Sequence, residues 1–381
     1  MGESFNKLRP LAQNTTRSRA LPPSIGETMP AVIIVNTESK ESVSACANRM
    51  RYKPSMEPVN PQLTCALVGD IGGTNARFAI ADLSTFELSQ IVQFPCSSHS
   101  GPAAAIHAYL GQIGRRADYA CLAVAAPVTD EMITFTNSNW SFTKSALRQD
   151  LGLKEIVVLN DFQALALALP ELGPHELHQI GGDDPPIHGT KVVLGAGTGI
   201  GVAGLVWSSV GWVPVPSEGG HIALACREAA EFALTEELRA KEPHIPVERL
   251  VSGPGVADLY GLIASSRGLK PEQLIPNEVL TRALAGTDDI AVETLRLFVN
   301  WFGGFAGDAA LLLGARGGVY IGGGIAPKIL ELLRSGTFRQ AFEAKGRMQH
   351  FLKPIPIYVL LAEHATLRGA AIGLRRHALR E

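Results

Sequence analysis

Residues 65–82 read CALVGDIGGTNARFAIAD, and the turn at their centre decides how the rest of the chain is read. Two apolar runs flank glycines at 69, 72 and 73 and a single acid, Asp70. CALVG has the character of a buried strand, and ARFAIAD of its hairpin partner. Glycines let the backbone approach a polyphosphate and aim N–H groups at it. Thr74 and Asn75 add short hydrogen-bonding side chains. A carboxylate here repels bare phosphate. It makes sense with a hard cation between them, because Mg2+ takes carboxylate, water and phosphate oxygens together. A plain Asp-plus-Gly hairpin turn is the alternative, but it needs far fewer specialised positions.

A second segment, KVVLGAGTGIGVAGLVW at 191–207, repeats the first. Leu67-Val68-Gly69 and Val193-Leu194-Gly195 each end a strand, 126 residues apart, and each leads into a Gly-rich turn and a second apolar strand. Ala196 stands where Asp70 stands in the first copy. The pattern predicts an α/β protein of two similar units facing each other, alike in turn geometry and different in chemistry. Gly199, Gly201 and Gly204 match the dinucleotide spacing G-x-G-x-x-G, but that motif must open a helix. GLVWSS reads as a strand instead, so a dinucleotide fold is set aside.

The remaining elements follow the same mixed pattern. A helix is expected over 102–114 and a strand ending at Pro127. A helix capped by Ser141 should end at the C-cap glycine Gly152. EIVVLND is a strand ending on Asn160 and Asp161, followed by a helix stopped near Pro170. REAAEFALTEELRAKE is expected to bury a face of Ala229, Phe232, Ala233 and Leu238. The Gly/Ala-studded helix over 291–314 fits a tightly packed core or an interface. GGVYIGGGIAPKILELL reads as strand, glycine turn and helix, with Pro327 in the first helical turn, where it is tolerated. Residues 1–61 are polar and aperiodic and are expected to form a disordered extension, with Met56 as an alternative start. Residues 62–171 are expected to form a small α/β domain, onto which a C-terminal helix at 364–379 packs back. Residues 172–363 form the large one.

With 46% apolar and 18% charged residues in 381, the chain can bury a sizeable core. A net charge of −2 gives no electrostatic footprint for nucleic acid. The five cysteines are scattered without a C-x-x-C pair. Neither a zinc cluster nor a disulfide framework is indicated, and a reduced cytoplasm fits best. No apolar run reaches the roughly 18 residues of a membrane span, so no membrane association is expected.

Phosphoryl transfer needs positioning, a metal and a group to take the hydroxyl proton. Asp161 ends a strand, where α/β proteins present side chains to ligands, and is the candidate general base. Capping the next helix is its plainer role, and both can hold. Asn160 offers a donor and an acceptor to a sugar hydroxyl. Glu218 and His221, on the glycine turn SEGGH, suit paired hydroxyls, with a structural histidine as the plain reading of His221. Glu248 precedes SGPG, with an exposed helical glutamate as its plain reading. Ser252 is expected to cap the following helix, while Gly253 and Gly255 let the backbone near a ligand. Gly195, Gly197, Thr198 and Gly199 form a second phosphate turn. Gly322, Gly323 and Gly324 give adenosine a flat backbone to lie on, or serve close helix–sheet packing.

GDIGGTNAR resembles the first phosphate motif of the sugar kinase/Hsp70/actin superfamily, and specifically of the bacterial glucokinase family. The resemblance continues in order through ND at 160–161, GAGTGIG at 195–201, EGGH at 218–221, ERLVSGPG at 248–255, GGVYIGGGI at 317–325 and FRQAFEAKGRM at 338–348. It covers residues 63 to about 376. It implies two RNase H-like domains facing each other across a cleft, and ATP-dependent phosphorylation of glucose at its 6-hydroxyl. Asp161 would be the base, with Asn160, Glu218, His221 and Glu248 contacting the sugar. Gly69, Asp70, Ile71, Gly72, Gly73 and Thr74 would hold ATP together with Gly195, Gly197, Thr198, Gly199, Gly323 and Gly324, and Asp70 would hold Mg2+. A cytoplasmic homodimer is implied as well. Ser217 departs from the glycine more usual in the family, and so does ALAC after His221. Only Cys226 lies near His221, so the zinc site of the ROK branch is not expected. Two other readings stay open: a kinase for a related hexose, and a non-catalytic sugar- or nucleotide-sensing protein on the same fold.

Overall fold

The computed structural model describes residues 64–135 and 139–378. The expected extension at 1–61 and the Met56 start lie outside them. The chain opens with strands β1 (Cys65–Ile71), β2 (Asn75–Asp82) and β3 (Leu88–Pro95), then helix α1 (Pro102–Ile113) and strand β4 (Tyr119–Val124). A two-stranded sheet of β5 (Met132–Thr134) and β6 (Ser141–Thr143) precedes α2 (Lys144–Asp150), β7 (Glu155–Asn160) and α3 (Asp161–Ala168). Strand β8 (Leu177–Gln179) leads to β9 (Lys191–Ala196), β10 (Ile200–Ser208) and β11 (Gly211–Ser217). Helices α4 (Ala229–Lys241), α5 (Gly253–Ser266), α6 (Pro276–Ala285) and α7 (Asp289–Leu313) come next, then strand β12 (Val319–Gly322). Three short helices, α8 (Leu330–Arg334), α9 (Thr337–Glu343) and α10 (Gln349–Leu352), precede β13 (Ile357–Leu360) and the last helix, α11 (Ala365–Ala378).

The first sheet has the order β3-β2-β1-β4-β7 and the second β11-β10-β9-β12-β13-β8. In each, an antiparallel hairpin built around a glycine turn is extended by two parallel strands. The internal repeat in the sequence is therefore a repeat of topology, with β1 matched by β9.

Two helices lie between the sheets. On α11, Leu367, Ala370, Ala371 and Leu374 bury against Ala66, Val68, Ala79 and Cys121 of the first sheet. Leu165 to Leu169 bury against Val193, Ala203 and Leu205 of the second. The pair sits so close that a Cβ on Gly369 would strike the Ala164 carbonyl. Helices α1 and α2 cover the other face of the first sheet, and α5 to α7 that of the second. Burying apolar side chains on all these faces is the main stabilising term.

Some local expectations are corrected. Ser141 lies in β6, and the cap of α2 is Thr143, whose hydroxyl accepts the Ala146 N–H. Helix α4 buries Glu231, Thr235 and Leu238, and leaves Phe232 half exposed. The periodicity misleads because Glu231 is satisfied inside, by the Arg227 N–H at 2.6 Å and Asn300 Nδ2 at 3.0 Å. A paired charge is the usual condition for such burial. On α7, Gly303 and Gly307 lie against the Phe338 and Phe342 carbonyls, so that face is filled by α9 within the chain.

Candidate active site

The sheets' glycine turns open onto one cleft of about 660 Å3. Asp70 comes from the end of β1 rather than from the turn where the sequence placed it, followed by Gly72 and Gly73, and Gly195 comes from the end of β9, followed by Gly197, Thr198 and Gly199. Asn160, Asp161, Glu218, His221 and Glu248 line the same cleft. So do Gly322, Gly323 and Gly324.

Asp161 is placed by the junction of β7 and α3. Asn160 is the cap of α3: its Oδ1 accepts the N–H groups of Phe162 (3.0 Å) and Gln163 (3.2 Å), and Gln163 Oε1 accepts the Asn160 N–H in return. This capping box corrects the plainer role considered for Asp161, which is the first helical residue. It also commits the Asn160 acceptor, leaving Nδ2, which donates to the Ala126 carbonyl at 3.4 Å. Asp161 Oδ1 accepts the Phe162 N–H at 2.9 Å. Burial, and after it the negative charge of Asp70, push the Asp161 carboxyl up to about 7, while the Phe162 N–H pulls the other way. The ring of Phe162 occupies the space a Cβ on Gly201 would need. A glycine in the second hairpin thus sets how closely the strand carrying it approaches Asp161.

Asp70 is also raised above the ordinary carboxylate range by desolvation, with Arg77 opposing. Arg77 Nη1 lies 3.4 Å from Asp70 Oδ2, directly across the β1–β2 register. The turn itself is anchored from β3's end: the Cys96 N–H donates to the Thr74 carbonyl at 2.8 Å, and its thiol faces the Gly72 carbonyl at 3.4 Å.

On the opposite wall, Glu248 Oε2 accepts the Ile200 N–H at 3.1 Å and Oε1 lies 3.5 Å from His221 Nδ1. His221 Nε2 is 3.9 Å from Glu218 Oε2. The turn carrying them is closed by the His221 N–H on the Glu218 carbonyl, and His244 Nε2 donates to the His221 carbonyl at 2.8 Å. A Cβ on Gly199 would meet Glu248 Oε2 at 2.5 Å, so any side chain here would displace that carboxylate.

Not every residue singled out in the sequence reaches the cleft. Gly69 and Ile71 belong to the core of β1, and a Cβ on Gly69 would meet Leu122 at 2.7 Å. Thr74 is exposed and lies outside the lining. Ser252 is a buried cap whose hydroxyl accepts the Gly255 N–H at 3.1 Å. Gly253 and Gly255 face the Gly197 and Leu250 carbonyls rather than a ligand. Gly323 has a left-handed φ of +81° and packs on the Ala196 backbone, whereas Gly324 faces open space. Sequence reasoning missed Arg77, Phe162 and His364 in the lining. For Arg77 the signal was available, since in a two-stranded hairpin it falls opposite Asp70.

Two topologically matched sheets, a helix pair between them and glycine turns facing one cleft are the mixed α/β architecture of the glucokinase and ROK sugar kinases. A glucokinase from an Antarctic psychrotroph superposes with a TM-score of 0.72 at 35% identity, over 82% of this chain and 98% of that one. A Balamuthia mandrillaris glucokinase solved with glucose gives 0.71 at 21% identity, over 82% and 94%. A Streptomyces griseus ROK family glucokinase solved with glucose and AMPPNP gives 0.56 at 19% identity, over 82% and 99%. In sequence, the glucokinase of Citrobacter koseri is 40% identical over 311 residues, 82% of this chain and 97% of its own length. The glucokinase family model matches residues 67–377. The chain belongs to the glucokinase family, whose reaction is ATP-dependent phosphorylation of glucose.

Proposed function

We propose that Asp161 is the general base of this glucokinase reaction and that the two glycine turns hold Mg-ATP across the cleft from the sugar. The carrying observation is the position of Asp161: the first residue of α3, in the lining shared by both turns, with its carboxyl raised to about 7. A base poised near the working pH is the favourable case for proton abstraction. The 6-hydroxyl proton passes to an Asp161 oxygen. The freed oxygen attacks the γ-phosphorus, the bond to the β,γ-bridging oxygen breaks, and ADP leaves.

Glu218, His221 and Glu248 form the sugar wall in this reading, with Asn160 contributing through Nδ2. Gly72, Gly73, Gly197, Thr198 and Gly199 face the phosphates, and Gly324 faces the adenosine. Gly69 and Ile71 support these turns from behind, while Gly195 and Gly323 stand in the lining beside them. Arg77 adds a cation beside them.

The donor set fits Mg2+. Asp70 offers one hard carboxylate to the cleft, and among the described residues no group of three or more His, Cys, Asp or Glu forms a closed cage. Mg2+ keeps several waters and is commonly held by one or two carboxylates plus substrate phosphates. Asp70 would hold it, and its charge would neutralise the phosphates.

We read residues 62–171, with α11 packed back, and residues 172–363 as two RNase H-like domains closing on the ligands, which excludes water as a competing acceptor. No helix among the described residues is long and apolar enough to cross a membrane. A cytoplasmic homodimer without nucleic-acid partners completes the reading.

The test is Asp161→Ala. ADP release with glucose should fall at least about 10²-fold, with glucose affinity by calorimetry little changed. Near-normal turnover of this variant removes the assignment.

A further inference from the structure

Three residues other than glycine have a left-handed backbone among those described: Phe86, Gln90 and His364, with φ of 61°, 53° and 58°. Phe86 and Gln90 belong to the β2–β3 hairpin. His364 alone of the three lines the cleft. A residue held at positive φ persists where the surroundings fix it, often at ligand sites. Glycine would fit this backbone without strain.

The position of His364 supplies the reason. It immediately precedes α11, whose Arg368 N–H donates to the His364 carbonyl at 3.1 Å. Its side chain stands in the same cleft as Asp70, Gly72, Gly73 and Arg77, and within electrostatic reach of the Asp70 carboxylate. The imidazole is only partly buried. An imidazole N–H is a donor of the right kind for a phosphoryl oxygen.

We propose that His364 is a nucleotide-contacting residue that donates a hydrogen bond to the polyphosphate of ATP from the α11 side of the cleft. This rests on the reading that the polyphosphate lies at the Asp70 turn. His364 then holds one side of the polyphosphate while the glycine turn holds the other. The strain is retained because the imidazole must reach into the cleft from a short connection between β13 and α11.

The experiment uses the full chain with Mg2+ and AMPPNP as the probe, and compares His364→Gly with His364→Asn. Glycine relieves the backbone and removes the donor; asparagine tolerates the left-handed region and keeps an amide donor. For H364G the expected result is about tenfold or more weaker AMPPNP binding by calorimetry, the effect of losing a hydrogen bond to a charged group. Glucose affinity should be unchanged and the thermal midpoint no lower than in the parent. H364N should recover most of the nucleotide affinity. Unchanged AMPPNP affinity in H364G overturns the proposal. Parallel loss of glucose and AMPPNP affinity, or a lowered midpoint, overturns it too, because His364 then acts through the fold. The underlying reading fails separately, through Asp70→Asn: AMPPNP binding as tight as in the parent, with Mg2+ making no difference, displaces the polyphosphate from that turn.

Discussion

Glu248 and His221 form a pair, with Oε1 of one 3.5 Å from Nδ1 of the other, while the second Glu248 oxygen accepts the Ile200 N–H at 3.1 Å. Glu248 therefore ties His221 to the first residue of β10, just after the second glycine turn. Glu248→Gln should keep a backbone acceptor but replace the carboxylate facing His221. Glucose KM should rise about tenfold or more, with a smaller change in ATP KM, in steady-state kinetics. His221→Asn should show the same bias toward glucose.

Gly201 and Phe162 are in contact across the two halves of the repeat. Gly201→Ala forces the Phe162 ring to move. Overpacking of this kind costs about 1–3 kcal/mol, readable in urea unfolding. Because Phe162 follows Asp161, kcat should fall as well, and a displacement near 1 Å can cost 10²-fold. A variant with lower stability and full kcat would separate the two residues.

The raised Asp161 carboxyl fixes two signs. If Asp161 is the base, as proposed, its charged form is the active one, so kcat/KM for glucose should climb with pH and level off above an apparent pKa near 7. Stability runs the other way. The folded value of about 7 exceeds the ordinary 3.8, so the contribution of this group is full below about 4 and lost as pH rises through 7. Asp161→Asn should therefore raise the melting temperature of the ligand-free protein at pH 8 while abolishing most turnover. A midpoint that falls at pH 8 would contradict this.

Lys191 is buried on the second sheet, between the rings of Trp212 and Tyr320, with its amine 3.2 Å from the Gly317 carbonyl. Burial lowers its pKa to about 8. The unfolded chain then binds more protons between about 8 and the ordinary 10.5, so stability should rise with pH across that window. Lys191→Met should be neutral or stabilising at pH 7, by up to about 3 kcal/mol, with kinetics unchanged. A loss of several kcal/mol would mean the aromatic contacts outweigh desolvation.

What the sequence determined by itself was local. Glycine turns, strand-like apolar runs and the repeat at Leu67 and Val193 were legible because hairpins and buried strands leave short-range patterns. The order of motifs was enough to point to the glucokinase family. The tertiary structure decided which glycines are closely packed and which have open space beside them. Gly72 and Gly324 line the cleft with space beside them, Gly201 and Gly323 line it while making room for Phe162 and the Ala196 backbone, and Gly69 lies outside it against Leu122. Such contacts join residues far apart in the chain, and no window of sequence holds both partners. The same holds for Glu231, buried because Asn300 meets it, and for His364, brought to the cleft of Asp70 only when α11 folds back between the sheets.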